Sequence, residues 1–461
     1  MAGTLTPALG MSRMGRETPL SCPALYVALH CERPTAPPSR HLLLGVDQVS
    51  LGRAAAPAVV RKARELVLSL ADGWMSTRHA VLRRTGDTWI VEDTRSRNGT
   101  HVNGSPCTRA ALKDGDVLEL GRTLLLFRSA VRHVKGESPD LDGANLPSPA
   151  QGLATFSPAL AAETSRLANI ARSTVPVVLH GPTGSGKEVA ARAIHQLSGR
   201  QGAFVAVNCG GIAKTLVETE LFGYRKGAFS GADEDRPGLM RSADKGTLFL
   251  DEIADLPSPA QAVLLRALQE SEVLPVGATR PVKVDVRVLA ATHRDLQKQV
   301  NEGAFRADLF ARISGFTVRL PPLRGRREDL GLLIGGILRR AAPDLVERIS
   351  LTPEAAGKLF AHGWPLNVRE LEKCLSTALV LAAGQPIDVQ HLPDWAQTPR
   401  VEETPSRAAS EADLRQRDEL VALLKEHRGN VSSMARAMGK ARMQVQRWLK
   451  RHGLEAEAFR G

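Results

Sequence analysis

The sequence predicts a multidomain chain that joins an all-β sandwich, a wound α/β unit and an all-α helix-turn-helix. Three observations carry this expectation. Over residues 22–131, short apolar runs recur between turn signals with few helical stretches, the pattern of a β-sandwich. From residue 154 onward, β-branched apolar runs alternate with helical periodicity, the pattern of a wound sheet. Beyond residue 411, three helical stretches follow one another across short breaks. Residues 132–153 and 396–410 are rich in Pro, Gly, Ser and polar residues and read as linkers, and residues 1–21 read as a disordered leader.

Composition agrees with several ordinary globular units. At 461 residues about three domains are expected. No apolar run approaches the roughly 18–20 residues of a membrane span, and the N-terminus lacks a secretory pattern. The expectation is a soluble cytoplasmic protein without membrane attachment. Cys22, Cys31, Cys107, Cys209 and Cys374 are scattered and lack C-x-x-C spacing, so free thiols are expected rather than a disulfide framework or a zinc site. The net charge of +12 favours a polyanionic partner, and its distribution matters more than its size.

In the first unit the predicted strands are 24–30, 41–44, 49–52, 65–70, 80–83, 88–92, 116–120 and 123–128. Between them lie Gly52-Arg53, Ser76-Thr77-Arg78-His79, Ser96-Arg97-Asn98-Gly99-Thr100 and Val102-Asn103-Gly104. These elements, in this order, resemble a forkhead-associated (FHA) domain. The resemblance implies that one end of the sandwich binds a phosphothreonine protein. Arg53 and Ser76 match the phosphate contacts, while Asn98, with Arg97 and Thr77, matches contacts to phosphate or peptide backbone. His79 matches a loop-bracing residue. The chemistry fits, because a dianionic phosphate calls for charge-assisted donors, and these residues offer a guanidinium, a hydroxyl and an amide.

The second unit opens on Val175-Pro-Val-Val-Leu-His180, a buried-strand run, followed by Gly181, Pro182, Thr183, Gly184, Ser185, Gly186, Lys187 and Glu188. The glycines let a loop curl so that its N–H groups face an anion, and a helical pattern begins at Lys187. This is a phosphate loop, with Lys187 in reach of the β- and γ-phosphates of ATP. The usual hydroxyl after the lysine, which would meet Mg²⁺, is replaced by Glu188. Gly246-Thr-Leu-Phe-Leu-Asp251-Glu252 ends a second strand in two carboxylates. Asp251 would hold Mg²⁺ directly or through water, and Glu252 would polarise the attacking water. Further strands are expected at 204–208 and 284–290.

The region 154–395 resembles the AAA+ domain of sigma-54-dependent transcription activators, the bacterial enhancer-binding proteins. The resemblance rests on Phe204-Val-Ala-Val-Asn208-Cys209, on Glu220 to Ala232, on Phe305-Arg306 to Arg312, on Leu320-Pro-Pro-Leu-Arg324 and on Trp364-Pro-Leu-Asn-Val-Arg369-Glu-Leu371. It implies an α/β ATPase core over 154–322 and a helical lid over 323–395. It also implies that Gly227, Ala228, Phe229, Ser230, Gly231 and Ala232 cap a loop that engages sigma-54. Ser230 stands for the family's usual Thr. On the residues alone a buried turn with Phe229 in the core is the favoured reading, and the exposed tip is what the resemblance implies. Arg306 and Arg312 match arginine fingers that act on the next subunit's nucleotide, which requires a ring, most plausibly a hexamer. Thr292 and His293 match sensor I, Arg369 matches sensor II, and Asn208 matches an asparagine that pairs with and restrains Glu252. Leu366 replaces a usual Gly.

The third unit, 411–461, has helical patterns at about 413–426, 431–438 and 442–452, with Asn430 as an N-cap before the second and a short Gly439-Lys440 turn before the last. It resembles the Fis-like DNA-binding domain that ends the same activators. The last stretch carries Arg442, Gln444, Gln446, Arg447, Lys450 and Arg451 without an acidic residue. Arg and Gln suit base edges of enhancer DNA, and Lys450 and Arg451 suit phosphates.

Together these resemblances imply a sigma-54 activator, dimeric on DNA and hexameric when active, which acts on sigma-54 RNA polymerase under phosphothreonine control. Two other classes stay open. One is a DNA-binding regulator in which ATP only sets oligomeric state, and the other is an AAA+ remodeller with a different client.

Overall fold

The computed structural model describes residues 20–213, 215–397 and 407–459. The leader falls outside them except Leu20 and Ser21, which begin the first strand, and most of the second linker also lies outside.

The first unit is a sandwich of strands β1 (Leu20–His30), β2 (Ser39–Leu42), β3 (Gln48–Arg53), β4 (Ala58–Lys62), β5 (Glu65–Leu70), β6 (Ala80–Thr85), β7 (Thr88–Asp93), β8 (Thr100–Val102), β9 (Ser105–Cys107), β10 (Arg109–Ala111), β11 (Val117–Leu120), β12 (Thr123–His133) and β13 (Asp140–Asp142). Among the described residues they form two sheets, ordered β13-β2-β1-β12-β11-β8-β9 and β10-β7-β6-β3-β5-β4. Leu25, Val27, Leu51, Leu68, Leu125 and Phe127 fill the space between them.

The stretch 132–153 is not a plain linker. β12 runs on to His133, and β13 adds to β2 with Asp140 opposite His41. A three-residue strand is too short to leave a periodic trace in the sequence. It is held instead by charge. Arg61 grips Asp140 through two hydrogen bonds of 2.7 Å, and His41 Nδ1 donates to it at 2.7 Å.

The second unit begins with α1 (Pro158–Ala171) and β14 (Val177–His180). It continues through α2 (Lys187–Ser198), β15 (Phe204–Asn208), α3 (Val217–Phe222), α4 (Gly238–Ser242), β16 (Thr247–Asp251), α5 (Ser258–Glu270) and the short pair β17 (Glu272–Val273) and β18 (Val282–Lys283). It ends with β19 (Arg287–Thr292), α6 (Leu296–Asn301), α7 (Ala307–Ile313) and β20 (Phe316–Arg319). The five long strands form a parallel sheet ordered β15-β16-β19-β14-β20. β14 therefore lies in mid-sheet, with its C-terminal end at the crevice where such sheets bind ligands. The strand expected at 284–290 starts later, at Arg287, because Val284 and Val286 pack with α5 and its neighbours instead of entering the ladder.

Helices α8 (Leu330–Ala341), α9 (Pro353–Ala361), α10 (Asn367–Ala382) and α11 (Asp394–Gln397) make the lid. The last unit is α12 (Arg407–Glu426), α13 (Val431–Ala437) and α14 (Arg442–Arg451), built on Leu420, Leu424, Met434, Val445 and Leu449. Asn430 caps α13 by accepting from Ser432 N and Ser433 N, as its residue type predicts. Arg109 of β10 forks onto Asp418 of α12, and Arg417 donates to Thr85 O at 2.6 Å, so this unit also touches the sandwich.

The Asp140 anchor makes a measurable prediction. Burial opposes ionisation there, but Arg61 and His41 outweigh it and hold the carboxyl well below its ordinary value. Its stabilisation is therefore complete above the unfolded carboxylate value of about 4 and fades as pH falls toward the folded value. Asp140→Asn should destabilise the sandwich by about 1–3 kcal/mol at pH 7. The deficit, read by hydrogen exchange at β2 under denaturant, should shrink on acidification.

Candidate active site

The loop after β14 curls because Gly184 (φ +73°) and Gly186 (φ +107°) adopt left-handed backbone that side chains resist. At Gly184 the space is closed as well, since a Cβ would lie 2.2 Å from Leu366 O. Lys187, the first residue of α2, is only 6% exposed. Its Nζ donates to Gly181 O at 3.1 Å and to Glu252 Oε1 at 3.4 Å. Ser185 Oγ is buried without a hydrogen-bond partner among the described residues. A curled loop at a helix N-terminus, a buried ammonium and a waiting hydroxyl fit nucleotide phosphates. Pro182 and Thr183 complete the loop. Glu188 is exposed, and its carboxylate is taken by Arg192 at 2.7 Å.

β15 and β16 bring Asn208 beside Asp251, and Glu252 follows at the sheet end. Glu252 sits at φ +51°, an uncommon conformation for a residue with a side chain and one often found at functional sites. Its Oε2 accepts from His293 Nδ1 at 2.7 Å. Burial would lift Glu252, but the His293 hydrogen bond and the Lys187 charge prevail and its value falls below the ordinary one. Burial lifts Asp251 above its ordinary value, against the pull of Lys187. The two neighbours are thus pushed apart, and Glu252 is kept ionised. Thr292 is buried at the end of β19, and its carbonyl accepts from Gly181 N at 3.2 Å.

The Asn208–Glu252 pairing expected from the sequence is absent. Asn208 Oδ1 accepts from Gly210 N at 3.0 Å, and Glu252 is engaged by Lys187 and His293 instead. The local turn after β15 competes for the asparagine.

Arg369 on α10 is exposed, and its charge acts on Asp251. Arg306 and Arg312 are exposed and engaged elsewhere. Arg306 pairs with Asp308 at 2.7 Å, and Arg312 donates to Leu268 O at 2.7 Å, so neither joins Lys187 or Glu252 within this subunit. Gly227 to Ala232 form a tight turn closed by Gly227 N–H on Ala232 O at 2.8 Å. Ala228 is half-buried, Ser230 and Gly231 are exposed, and Ala232 is buried. Phe229 is 42% exposed, with its ring edge-on to Tyr224. Its base is tied by Arg225 to Asp235 and by Lys226 N–H to the same carboxylate.

In the sandwich, Arg53, Thr77, Arg97 and Asn98 are exposed on neighbouring loops. Ser76 Oγ accepts from Arg97 N at 3.0 Å, and Asn98 Nδ2 donates to Trp74 O at 2.7 Å. His79 braces them, accepting from Ser76 N and donating to Gly99 O. Gly52 is required here because a Cβ would meet Thr77 O at 1.9 Å. On α14, Arg442, Gln444, Gln446, Arg447 and Lys450 are exposed and Arg451 ends the helix.

Family models match successive stretches of this chain: the FHA domain at residues 49–121, the sigma-54 interaction domain at 153–319 and the AAA+ ATPase lid domain at 324–409. The transcriptional regulatory protein ZraR of Escherichia coli K12 is 41% identical over 335 residues, which is 71% of this chain and 74% of ZraR. The chain belongs to the sigma-54-dependent transcriptional activators. The response regulator PilR of Pseudomonas aeruginosa is 40% identical over 73% of this activator and 76% of PilR. The acetoin catabolism regulatory protein of Cupriavidus necator is 43% identical over 65% of this chain, and the chain spans less than half of that relative, 46%. The central unit of this activator is a P-loop ATPase that binds ATP. Among the described residues no helix is long and apolar enough to cross a membrane.

Sequence reasoning about the activator missed two residues that hold the phosphate loop. Buried Asn367 donates to Thr183 O at 2.9 Å and accepts from Leu323 N at 2.8 Å. Arg326 is 8% exposed and donates to Ser185 O at 2.8 Å. The basic run Arg324-Gly-Arg326-Arg327 carries no signal of which arginine turns inward, and only the fold tells.

Gly184→Ala combines strained backbone with a clash against the lid. It should lower ATP affinity at least about tenfold, as read by equilibrium binding of a fluorescent ATP analogue.

Proposed function

We propose that this activator is an enhancer-bound ring ATPase that remodels the closed complex of sigma-54 RNA polymerase in the cytoplasm, under control of phosphothreonine binding at its FHA domain. The observation that carries the reading is the meeting of Lys187, Asp251, Glu252 and His293 at one sheet end, in a chain that also presents an exposed Phe229 turn.

The loop N–H groups and Lys187 hold the β- and γ-phosphates of ATP. Asp251, together with those phosphates, is the residue suited to Mg²⁺, which would neutralise charge that develops on the transferred group. Ionised Glu252 takes the proton as water attacks the γ-phosphorus and the bond to the bridging oxygen breaks. Thr292, His293 and Arg369 report the nucleotide state, His293 through its hold on Glu252. Arg306 and Arg312 are free of this subunit's site and serve the neighbour's, which makes hydrolysis depend on a ring, taken here as a hexamer. The turn from Gly227 to Ala232 delivers the motion to sigma-54. Arg53, Ser76, Thr77, Arg97 and Asn98 receive a phosphothreonine protein. α14 enters the major groove of enhancer DNA, with Arg442, Gln444, Gln446 and Arg447 at base edges and Lys450 and Arg451 at phosphates, in a dimer with half-sites at whole-turn spacing.

ATPase activity per subunit, measured against protein concentration, should rise as rings assemble. A flat profile would overturn the trans arginines. Glu252→Gln should keep ATP binding and lose hydrolysis by roughly 100-fold or more. Undiminished turnover would reassign the base.

Phe229→Ala should leave ATP hydrolysis near the parent level and abolish capture of sigma-54 in a pull-down with a transition-state analogue. Retained capture would point to a different client surface.

A further inference from the structure

The outer face of an FHA-type sheet need not be apolar, yet β1 and β12 are apolar on both faces. Leu25 and Leu125 point between the sheets, while Tyr26, Ala28 and Leu126 point outward into a second core that includes Leu330 and Ile334 of α8. Two glycines one turn apart on α8 fit this contact. A Cβ at Gly331 would lie 1.8 Å from Ala28 O, and one at Gly335 would lie 3.0 Å from Pro34 O. Glycine is unfavourable inside a helix, so these positions answer to the close approach of the sandwich backbone. A backbone hydrogen bond from Leu351 N to Cys31 O at 2.8 Å closes the seat.

The turn before α8 ties this seat to the nucleotide loop. Four consecutive side chains reach three bodies. Arg326 donates to Ser185 O of the phosphate loop, and Arg327 donates to Gly115 O of the sandwich at 2.9 Å. Glu328 accepts from Arg128 of β12 at 3.1 Å, and Asp329 accepts from Thr155 Oγ1 and Phe156 N ahead of α1. Arg326, Glu328 and Asp329 are each less than a tenth exposed. A buried charge stays put only while its partner is in place. Withdrawal of the sandwich would strip Glu328 of Arg128 and Arg327 of Gly115 O, leaving Arg327 its bond to Phe360 O of α9. The turn would lose the bonds that fix its outer side, and Arg326 would be free to shift with it.

We propose that the FHA sandwich is seated on the AAA+ lid of its own chain, and that the turn from Arg326 to Asp329 converts the state of that seat into the conformation of the phosphate loop. The sensing end rests on the phosphothreonine reading above, and a short run of bonds leads from it to the seat. Asn98 holds Trp74 O, Asp72 holds both Trp74 N and Arg122 N, and Cys31 N donates to Arg122 O next to the bond that meets Leu351. Regulation then acts within one subunit on ATP binding, ahead of any effect on ring assembly.

The test uses the full chain at concentrations below assembly. It reads hydrogen exchange together with the affinity of a non-hydrolysable fluorescent ATP analogue. Glu328→Gln removes the charge that ties Arg128 to the lid at nearly constant volume, leaving Arg128 its pair with Asp114 within the sandwich, and Gly331→Val wedges the helix from β1. Both should raise exchange at β1 and β12 and at residues 181–187 together, and should shift analogue affinity by at least about fivefold. Arg64→Ala, at an exposed pair with Asp47, should change neither. Exchange that rises at the seat while residues 181–187 and the affinity stay unchanged would overturn the proposal. A mixture of phosphothreonine peptides with random flanks should shift analogue affinity in the parent, but not in Arg53→Ala or Glu328→Gln. Peptides retained equally by the parent and Arg53→Ala would sink the phosphothreonine site and leave the seat to be judged on its own variants. Peptides retained only by the parent, with no change in affinity, would sink the coupling.

Discussion

A single buried ammonium group organises the motor. Lys187 is nearly sealed from water, and burying an unpaired charge is costly, so its surroundings must supply partners. Gly181 O and Glu252 do so, and the requirement ties the phosphate loop, the end of β16 and the start of α2 to one point. Glu252 is in turn held by His293, the residue after β19. Three strands that are distant in sequence thus converge on one side chain. Incoming phosphates would compete for that ammonium and release one carboxylate oxygen, while His293 keeps the other in place. Under the mechanism proposed for Glu252, binding of ATP and readiness of that carboxylate are in this way one event.

The lid is fixed to the same point from outside. Asn367 grips Thr183 O, Val368 N donates to Gly184 O at 2.9 Å, and Arg326 reaches Ser185 O. The phosphate loop is therefore bonded to the lid residue by residue. Leu366, where the family resemblance leads us to expect a glycine, does not break this arrangement. Its side chain points to solvent and its carbonyl closes on Gly184.

Much of this was legible in the sequence, for identifiable reasons. Glycine spacing and a following helical period marked the phosphate loop, and α2 begins at Lys187 as expected. Asn430 announced α13, and His79 announced the bracing of its loops. The partner of Glu252 was not legible, because Asn208 ends β15 while His293 follows β19, and only tertiary geometry decides which one reaches the carboxylate. β13 was hidden by its length and by its reliance on one ion-pair cluster. The second apolar face of β1 and β12 was visible as an unbroken hydrophobic run, yet a run of that kind says only that both sides are covered, not by what.

The glycine pair on α8 bears on how freely such proteins exchange their parts. Sensor units joined by flexible tethers can be swapped by recombination with little adjustment. Here the motor carries an indentation shaped to one particular strand. A foreign sensor spliced at the same junction would meet a helix missing two side chains and an exposed apolar strip flanked by unmatched charges. Such a chimera would aggregate or idle until α8 was rebuilt. The sandwich and the motor of this chain would therefore have to be exchanged together, as one piece.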